Sequence, residues 1–155
     1  MYFVDKIKEL SKDNKCSIFV DMDGVIADFE FFKSLDFKNK RPIITNINTF
    51  KEISTLENID LYILSICKKD EQVSHKNDWL DKYAPFFKKH NRIIISKESH
   101  PNLSSKQLKE LFLNDYINKL KNDLIIVIDD DNEILLYLSI KLKNIIYFQD
   151  SSIID

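Results

Sequence analysis

Glycine is nearly absent from this chain: Gly24 is the single one among 155 residues. Glycine tolerates backbone conformations that other residues adopt only at a cost. A chain that avoids it elsewhere and keeps it directly after Asp23 therefore points to an unusual turn there. Cysteine is scarce as well. Cys16 and Cys67 lie far apart, each beside an apolar run, which excludes a disulfide framework or a cysteine-based zinc site and fits a reducing cytoplasm. His75, His90 and His100 have no zinc-type spacing to another His or Cys and read as surface or capping residues. No stretch approaches the ~18 apolar residues of a membrane span, and Met1-Tyr-Phe-Val-Asp-Lys6 opens no long apolar leader. A soluble, unexported, cytoplasmic protein with no membrane partner is expected. A basic excess is also missing, since 23 Lys/Arg stand against 25 Asp/Glu for a net charge of −2. That argues against a stable nucleic-acid partner and leaves room for no more than a local basic rim.

What the chain does have is a globular composition, 44% hydrophobic and 31% charged, at a length that suits one domain over 1–155. Five short apolar runs recur: Ser17–Val20, Leu61–Leu64, Arg92–Ile95, Leu124–Ile128 and Asn144–Phe148. Continuous rather than alternating runs suit strands covered on both faces. Between them, helical spacing appears over 71–88, 103–121 and 132–141, with a further core helix expected around 47–58. Pro101 and Ser104-Ser105 supply a start and N-cap candidates for the second of these. Strand–helix alternation predicts an α/β fold with a central parallel sheet and right-handed crossovers. Ligands of such sheets bind outside the carboxyl ends of the strands. The polar residues gather there: Asp21 and Asp23, Ser65, Ser96-Lys97 and Asp129-Asp130-Asp131.

Taken alone, Asp21-Met-Asp-Gly24 is more often an Asx-type turn closing a strand than a reactive site. Asp129-Asp130-Asp131 taken alone reads equally well as a solvated loop with an N-cap for the next helix. Together they change the balance. Consecutive aspartates at a buried strand end repel one another unless something cationic is near. A hard divalent cation with oxygen ligands, such as Mg²⁺, would relieve both clusters and also take substrate phosphate.

At this point the residues resemble a known family. The stretch 17–29, an apolar strand running into Asp21-Met-Asp-Gly-Val-Ile-Ala-Asp-Phe29, resembles the first motif of the haloacid dehalogenase (HAD) superfamily. Extended to Glu30, it is similar to the 5′(3′)-deoxyribonucleotidase branch. Ser65 after Leu61–Leu64 resembles the second motif, and Ile125-Ile-Val-Ile-Asp-Asp130 the fourth. Lys76-Asn-Asp-Trp-Leu80, with Tyr83 and Pro85-Phe86, resembles the helix that follows the second motif in nucleotidase-like members. The resemblances fall in family order over about residues 16–150.

The resemblance implies a HAD-like Rossmannoid three-layer fold and a Mg²⁺-dependent phosphatase working through an aspartyl-phosphate. Asp21 would be the nucleophile. Asp23 would serve as acid and then base, its backbone carbonyl touching the metal. Asp21, Asp23, Asp129 and Asp130 would surround Mg²⁺. Ser65 would donate to a phosphate oxygen, while Asp28 and Asp131 would be outlying or solvated. The charge-balancing lysine falls on Lys106 by the usual family spacing, or on Lys97 by that of the nucleotidase branch. Lys68 and Lys69, just past Ser65, would be further candidates to reach a phosphate. Only 24–64 separates the first two motifs, so the cap is minimal, a flap over about 28–45 with Phe29, Phe31, Phe32, Phe37 and Arg41. The implied substrate is a small phosphorylated molecule, with a nucleoside monophosphate as one form. A macromolecular phosphoester (a protein or a nucleic-acid end) and a non-enzymatic phosphate- or metal-binding protein are the alternatives. A flavodoxin-like receiver domain is a rival at the level of fold, and an oligomer is compatible with all of them.

Overall fold

A computed structural model describes residues 2–29, 36–121 and 123–153. Five parallel strands form one sheet: β1 (Cys16–Val20), β2 (Ile59–Cys67), β3 (Arg92–Ser96), β4 (Leu124–Asp129) and β5 (Ile145–Gln149), in the order β3-β2-β1-β4-β5. The strands are mainly apolar because both faces of the sheet are covered. Ile18, Val20, Leu61, Ile63, Ile126 and Ile128 pack with helices α1 (Phe3–Leu10), α2 (Ile44–Ile53) and α3 (Glu71–Tyr83). Phe19, Tyr62, Leu64, Ile93, Ile125 and Val127 pack with α4 (Ser105–Lys119) and α5 (Asn132–Lys141). Alternate residues of each strand thus serve opposite layers, and each large side chain so buried contributes about 1.5–3 kcal/mol. The result is a Rossmann-like three-layer α/β arrangement. Strand order reverses at β1, and the helices change face between α3 and α4, as right-handed crossovers require. Among the described residues, no helix is long and apolar enough to cross a membrane.

The expected helix over 71–88 stops at Tyr83, because Ala84 precedes Pro85 and takes φ −144°, ψ 57°. The core helix expected at 47–58 lies nearer the N-terminus, over 44–53, and the chain turns into β2 through Asn58 at φ 61°. Ser104 caps α4 in a reciprocal capping box with Gln107. Asp131 caps α5, accepting from Glu133 and Ile134 backbone N–H groups. β2 continues past Ser65 to Cys67, so Ser65 is an interior strand residue opposite Ile94 rather than a strand terminus.

Of the flap expected over 28–45, residues 30–35, which include Phe31 and Phe32, lie outside the described residues. The remainder is tied down. Asp28 N–H donates to Arg41 O (2.8 Å), Ile43 N–H to Ile26 O (2.8 Å), and Asn46 Nδ2 to Val25 O (2.8 Å). Phe37 is buried edge-to-face against Trp79, with ring centroids 5.7 Å apart, whereas Phe29 is 57% exposed.

Candidate functional site

The strand order reverses between β1 and β4, and their carboxyl ends open the crevice where open α/β sheets bind ligands. Register aligns Val20 with Ile128, and Asp21 N–H donates to Ile128 O at 3.0 Å. Asp21 and Asp129 are therefore brought side by side at the same level of the sheet. Asp21, Asp129 and Asp130 each offer a carboxylate oxygen, and the three oxygens lie within 4.8 Å of one another. Lys109 reaches in from α4, its Nζ 2.6 Å from Asp129 Oδ2 and 3.1 Å from Asp21 Oδ1. The other Asp129 oxygen accepts from Asp131 N–H at 3.0 Å.

Charge decides what this cluster lacks. Three carboxylates face one ammonium, which leaves two negative charges uncompensated in a largely buried place. Without a cation, protons must fill that deficit. Burial, reinforced by Asp129 and Asp23, pushes Asp21 well above the usual carboxylate range despite Lys109. Burial and the neighbouring Asp129 push Asp130 up to about 7. For Lys109, burial acts downward but Asp21 and Asp129 outweigh it, so its ammonium is held above the ordinary lysine value. A divalent cation would remove the same deficit, and an all-carboxylate donor set suits Mg²⁺.

Gly24 shapes one wall of this cluster. Its φ of 79° lies in the left-handed region, and a Cβ placed on it would sit 2.6 Å from Asp130 Cγ and closer still to a carboxylate oxygen. Asp130 is thus seated against the bare backbone of the one residue that has no side chain. The turn itself is closed by the Met22 carbonyl, which accepts from Val25, Ile26 and Ala27 N–H groups (3.2, 3.0 and 2.9 Å).

Asp23 faces a different environment. Its two carboxylate oxygens are taken separately by Lys40 and by Lys76, the latter at 3.0 Å. Both lysine side chains are 2% exposed. Burial pushes Asp23 upward, but Lys76 and Lys40 outweigh it and hold the carboxyl below the usual range. Lys40 is positioned through its own carbonyl, which accepts from Trp79 Nε1 at 2.9 Å. Lys76 also donates to Ser65 Oγ (2.7 Å) and Ile66 O (2.9 Å). A cavity of about 270 Å³ is lined by Asp21, Asp23, Lys109, Asp129 and Asp130.

The structure brings together the carboxylates of Asp21, Asp129 and Asp130. Asp23 lines the same cavity, but its carboxylate lies outside that cluster, held by Lys40 and Lys76. Not all the other expected residues are there. The lysine beside Asp21 is Lys109, not Lys106 or Lys97. Lys106 lies one helical turn earlier at the exposed start of α4, its Nζ 5.5 Å over the Tyr137 ring. Lys97 is exposed and lines a second cavity with Lys76 and Asp23. Ser65 is fully buried, accepts from Lys76, and lines neither cavity. Asp28 pairs with Arg41 at 3.0 Å, away from the cluster. Sequence reasoning missed Lys109 as the partner of Asp21 and Lys40 and Lys76 as the partners of Asp23. A signal for Lys109 existed in its spacing, since it shares the buried face of α4 with Leu108 and Leu113. No family model and no curated protein matches the chain.

Proposed function

We propose that the protein is a Mg²⁺-dependent phosphomonoester hydrolase of the HAD type, with Asp21 as nucleophile. The observation that supports this best is the meeting, at one strand-order reversal, of Asp21 with Asp129, Asp130 and Lys109 beside a polar cavity. Asp21, Asp129 and Asp130 would hold the metal, which when bound screens the nucleophile from the phosphate's negative charge. Lys109 fixes the direction of the Asp21 carboxylate by binding Oδ1. A carboxylate oxygen of Asp21 attacks phosphorus, the bond to the ester oxygen breaks, and the alcohol departs with a proton from Asp23. Water then attacks the acyl-phosphate, gives its proton to Asp23, and restores Asp21 with release of inorganic phosphate.

Asp23 can be the donor only if it carries a proton, and in the free protein two ammoniums keep it ionised. An arriving phosphate dianion changes that, because in the cavity lined by Asp21 and Lys109 it stands against Asp23 and repels the carboxylate. The acid is thereby created by the substrate that needs it. The same carboxylate, ionised again after the alcohol leaves, is the base for the second step.

The test is release of phosphate from an aryl phosphate in Mg²⁺, abolished by EDTA and by Asp21→Asn. Phospho-Asp21 that accumulates without turnover would instead favour a receiver-like phosphoacceptor. A chain that neither turns over nor becomes phosphorylated is a binding protein. A panel of nucleoside monophosphates, phosphopeptides and phosphorylated oligonucleotides then ranks substrate classes.

A further inference from the structure

A second cavity adjoins the first, about 180 Å³, and its lining is basic: Lys40, Lys68, Lys76 and Lys97 surround it, with Asp23 as its one carboxylate. The two cavities share a border of Asp23, Phe29, Ile66 and Ser105. Lys40 and Lys76 are buried and share Asp23 between them, which leaves one positive charge uncompensated in a low-dielectric place. Lys68 and Lys97 are exposed at the rim, and among the described residues neither pairs with a carboxylate within 4.0 Å. Four ammoniums converging on one carboxylate in a concavity repel one another unless an anion joins them.

The phosphate that Asp21 attacks does not meet this need. It must sit in the cavity lined by Asp21 and Lys109, and Lys68 and Lys97 do not line that cavity. The basic cavity therefore offers a second anion position, next to the first and separate from it. We infer that the substrate carries a second oxyanion, a phosphate or a carboxylate, which this lysine pocket binds while its phosphoester faces Asp21. This rests on Asp21 as the point of attack and adds a substrate class to it: a short doubly anionic molecule in place of a monoester with a neutral tail. Phe29, 57% exposed on the shared border, would lie against the linker between the two charged ends.

Binding to the wild-type protein in Mg²⁺ tests this without requiring turnover, using phosphonates whose C–P bond is not hydrolysed. Three series of short, increasing chain length are titrated by calorimetry, ending in a hydroxyl, a carboxylate or a second phosphonate. At the best length a second anion should tighten binding about tenfold or more over the hydroxyl series, as charge-assisted bonds to several ammoniums imply. In a Lys68→Gln/Lys97→Gln double variant that advantage should fall to about threefold or less, while in Lys69→Gln, whose side chain does not line the pocket, it should persist. A preference for carboxylate or for phosphonate ends identifies which oxyanion the pocket accepts. Equal affinity for all three ends would overturn the inference, and so would an advantage that Lys69→Gln erodes as much as the double variant, since that is diffuse surface charge. Failure of aryl phosphate hydrolysis alongside a retained preference would remove the proposed activity and leave the pocket standing.

Discussion

Replacing Gly24 with alanine perturbs backbone and site at once, and the two effects can be separated. At φ 79° an alanine is strained by about 1–2 kcal/mol. Its methyl also overlaps the Asp130 carboxyl, 2.6 Å from Cγ, so Asp130 must swing away from Asp21 and Asp129. Reduced freedom of the unfolded chain offsets about 0.4–1 kcal/mol. The overlap itself costs about 1–3 kcal/mol, so the net expectation is a loss of about 1–4.5 kcal/mol, which for a domain of this size lowers Tm by about 2–4 °C per kcal/mol. Gly24→Asn separates strain from overlap, because asparagine tolerates the left-handed region yet still carries a Cβ. It should regain part of the stability without regaining the metal site. Urea melts measure the first quantity, and the rise in Tm with added Mg²⁺ measures the second. Wild-type Mg²⁺ stabilisation in either variant would refute the reading of Gly24 as the seat of Asp130.

Lys109→Met leaves Asp21 and Asp129 facing each other without an ammonium. It should cost about 3–5 kcal/mol in metal-free buffer and less in Mg²⁺; equal losses in the two urea melts would show that the cluster does not hold a cation. Asp130 has its pKa raised to about 7. The folded, metal-free protein therefore holds a proton there that the unfolded chain has lost, and this group's contribution to stability declines as pH rises from about 4 to about 7. Mg²⁺ must displace that proton, so the Mg²⁺-induced rise in Tm should be larger at about pH 8 than at about pH 6, and a pH-independent rise would contradict the ligand assignment. Ser104→Ala removes one half of the capping box that starts α4 and should cost about 1 kcal/mol by denaturant melt.

The sheet was legible because its strands are buried on both sides, and such strands announce themselves as unbroken apolar runs such as Leu124–Ile128. Helix ends were less legible where backbone rather than periodicity decides them. Apolar spacing ran on to Phe87, but Ala84-Pro85 ended α3 four residues earlier. The four aspartates of the site could be found because they sit at strand ends, and parallel register does the rest of the assembly. The lysines could not. Lys109 meets Asp21 from a helix 88 positions further along the chain. Lys40 meets Asp23 from a segment with no periodic pattern, placed by one carbonyl bond from Trp79. Such contacts depend on where a helix lies against the sheet to within an ångström. Spacing between motifs does not carry that information, which is why it selected Lys106 and Lys97.

The clamp on Asp23 alters how the most obvious catalytic variant must be read. Asp23→Asn removes the one carboxylate shared by Lys40 and Lys76, so it strips charge from a buried pair of ammoniums as well as removing a proton donor. With Asp23 25% exposed, the stability loss should be about 2–3 kcal/mol, below that of a wholly buried pair. Inorganic phosphate should restore part of it, by seating an anion between the same two lysines, and should raise the Tm of the variant more than that of the wild type. A slower enzyme is therefore not by itself evidence for acid catalysis. Dependence on the leaving group is such evidence. An alkoxide needs a proton to depart and a nitrophenolate does not, so Asp23→Asn should slow alkyl phosphates by about 10²-fold or more beyond its effect on nitrophenyl phosphate. An equal slowing of both would mean that Asp23 acts by holding the lysines, and that the proton comes from elsewhere.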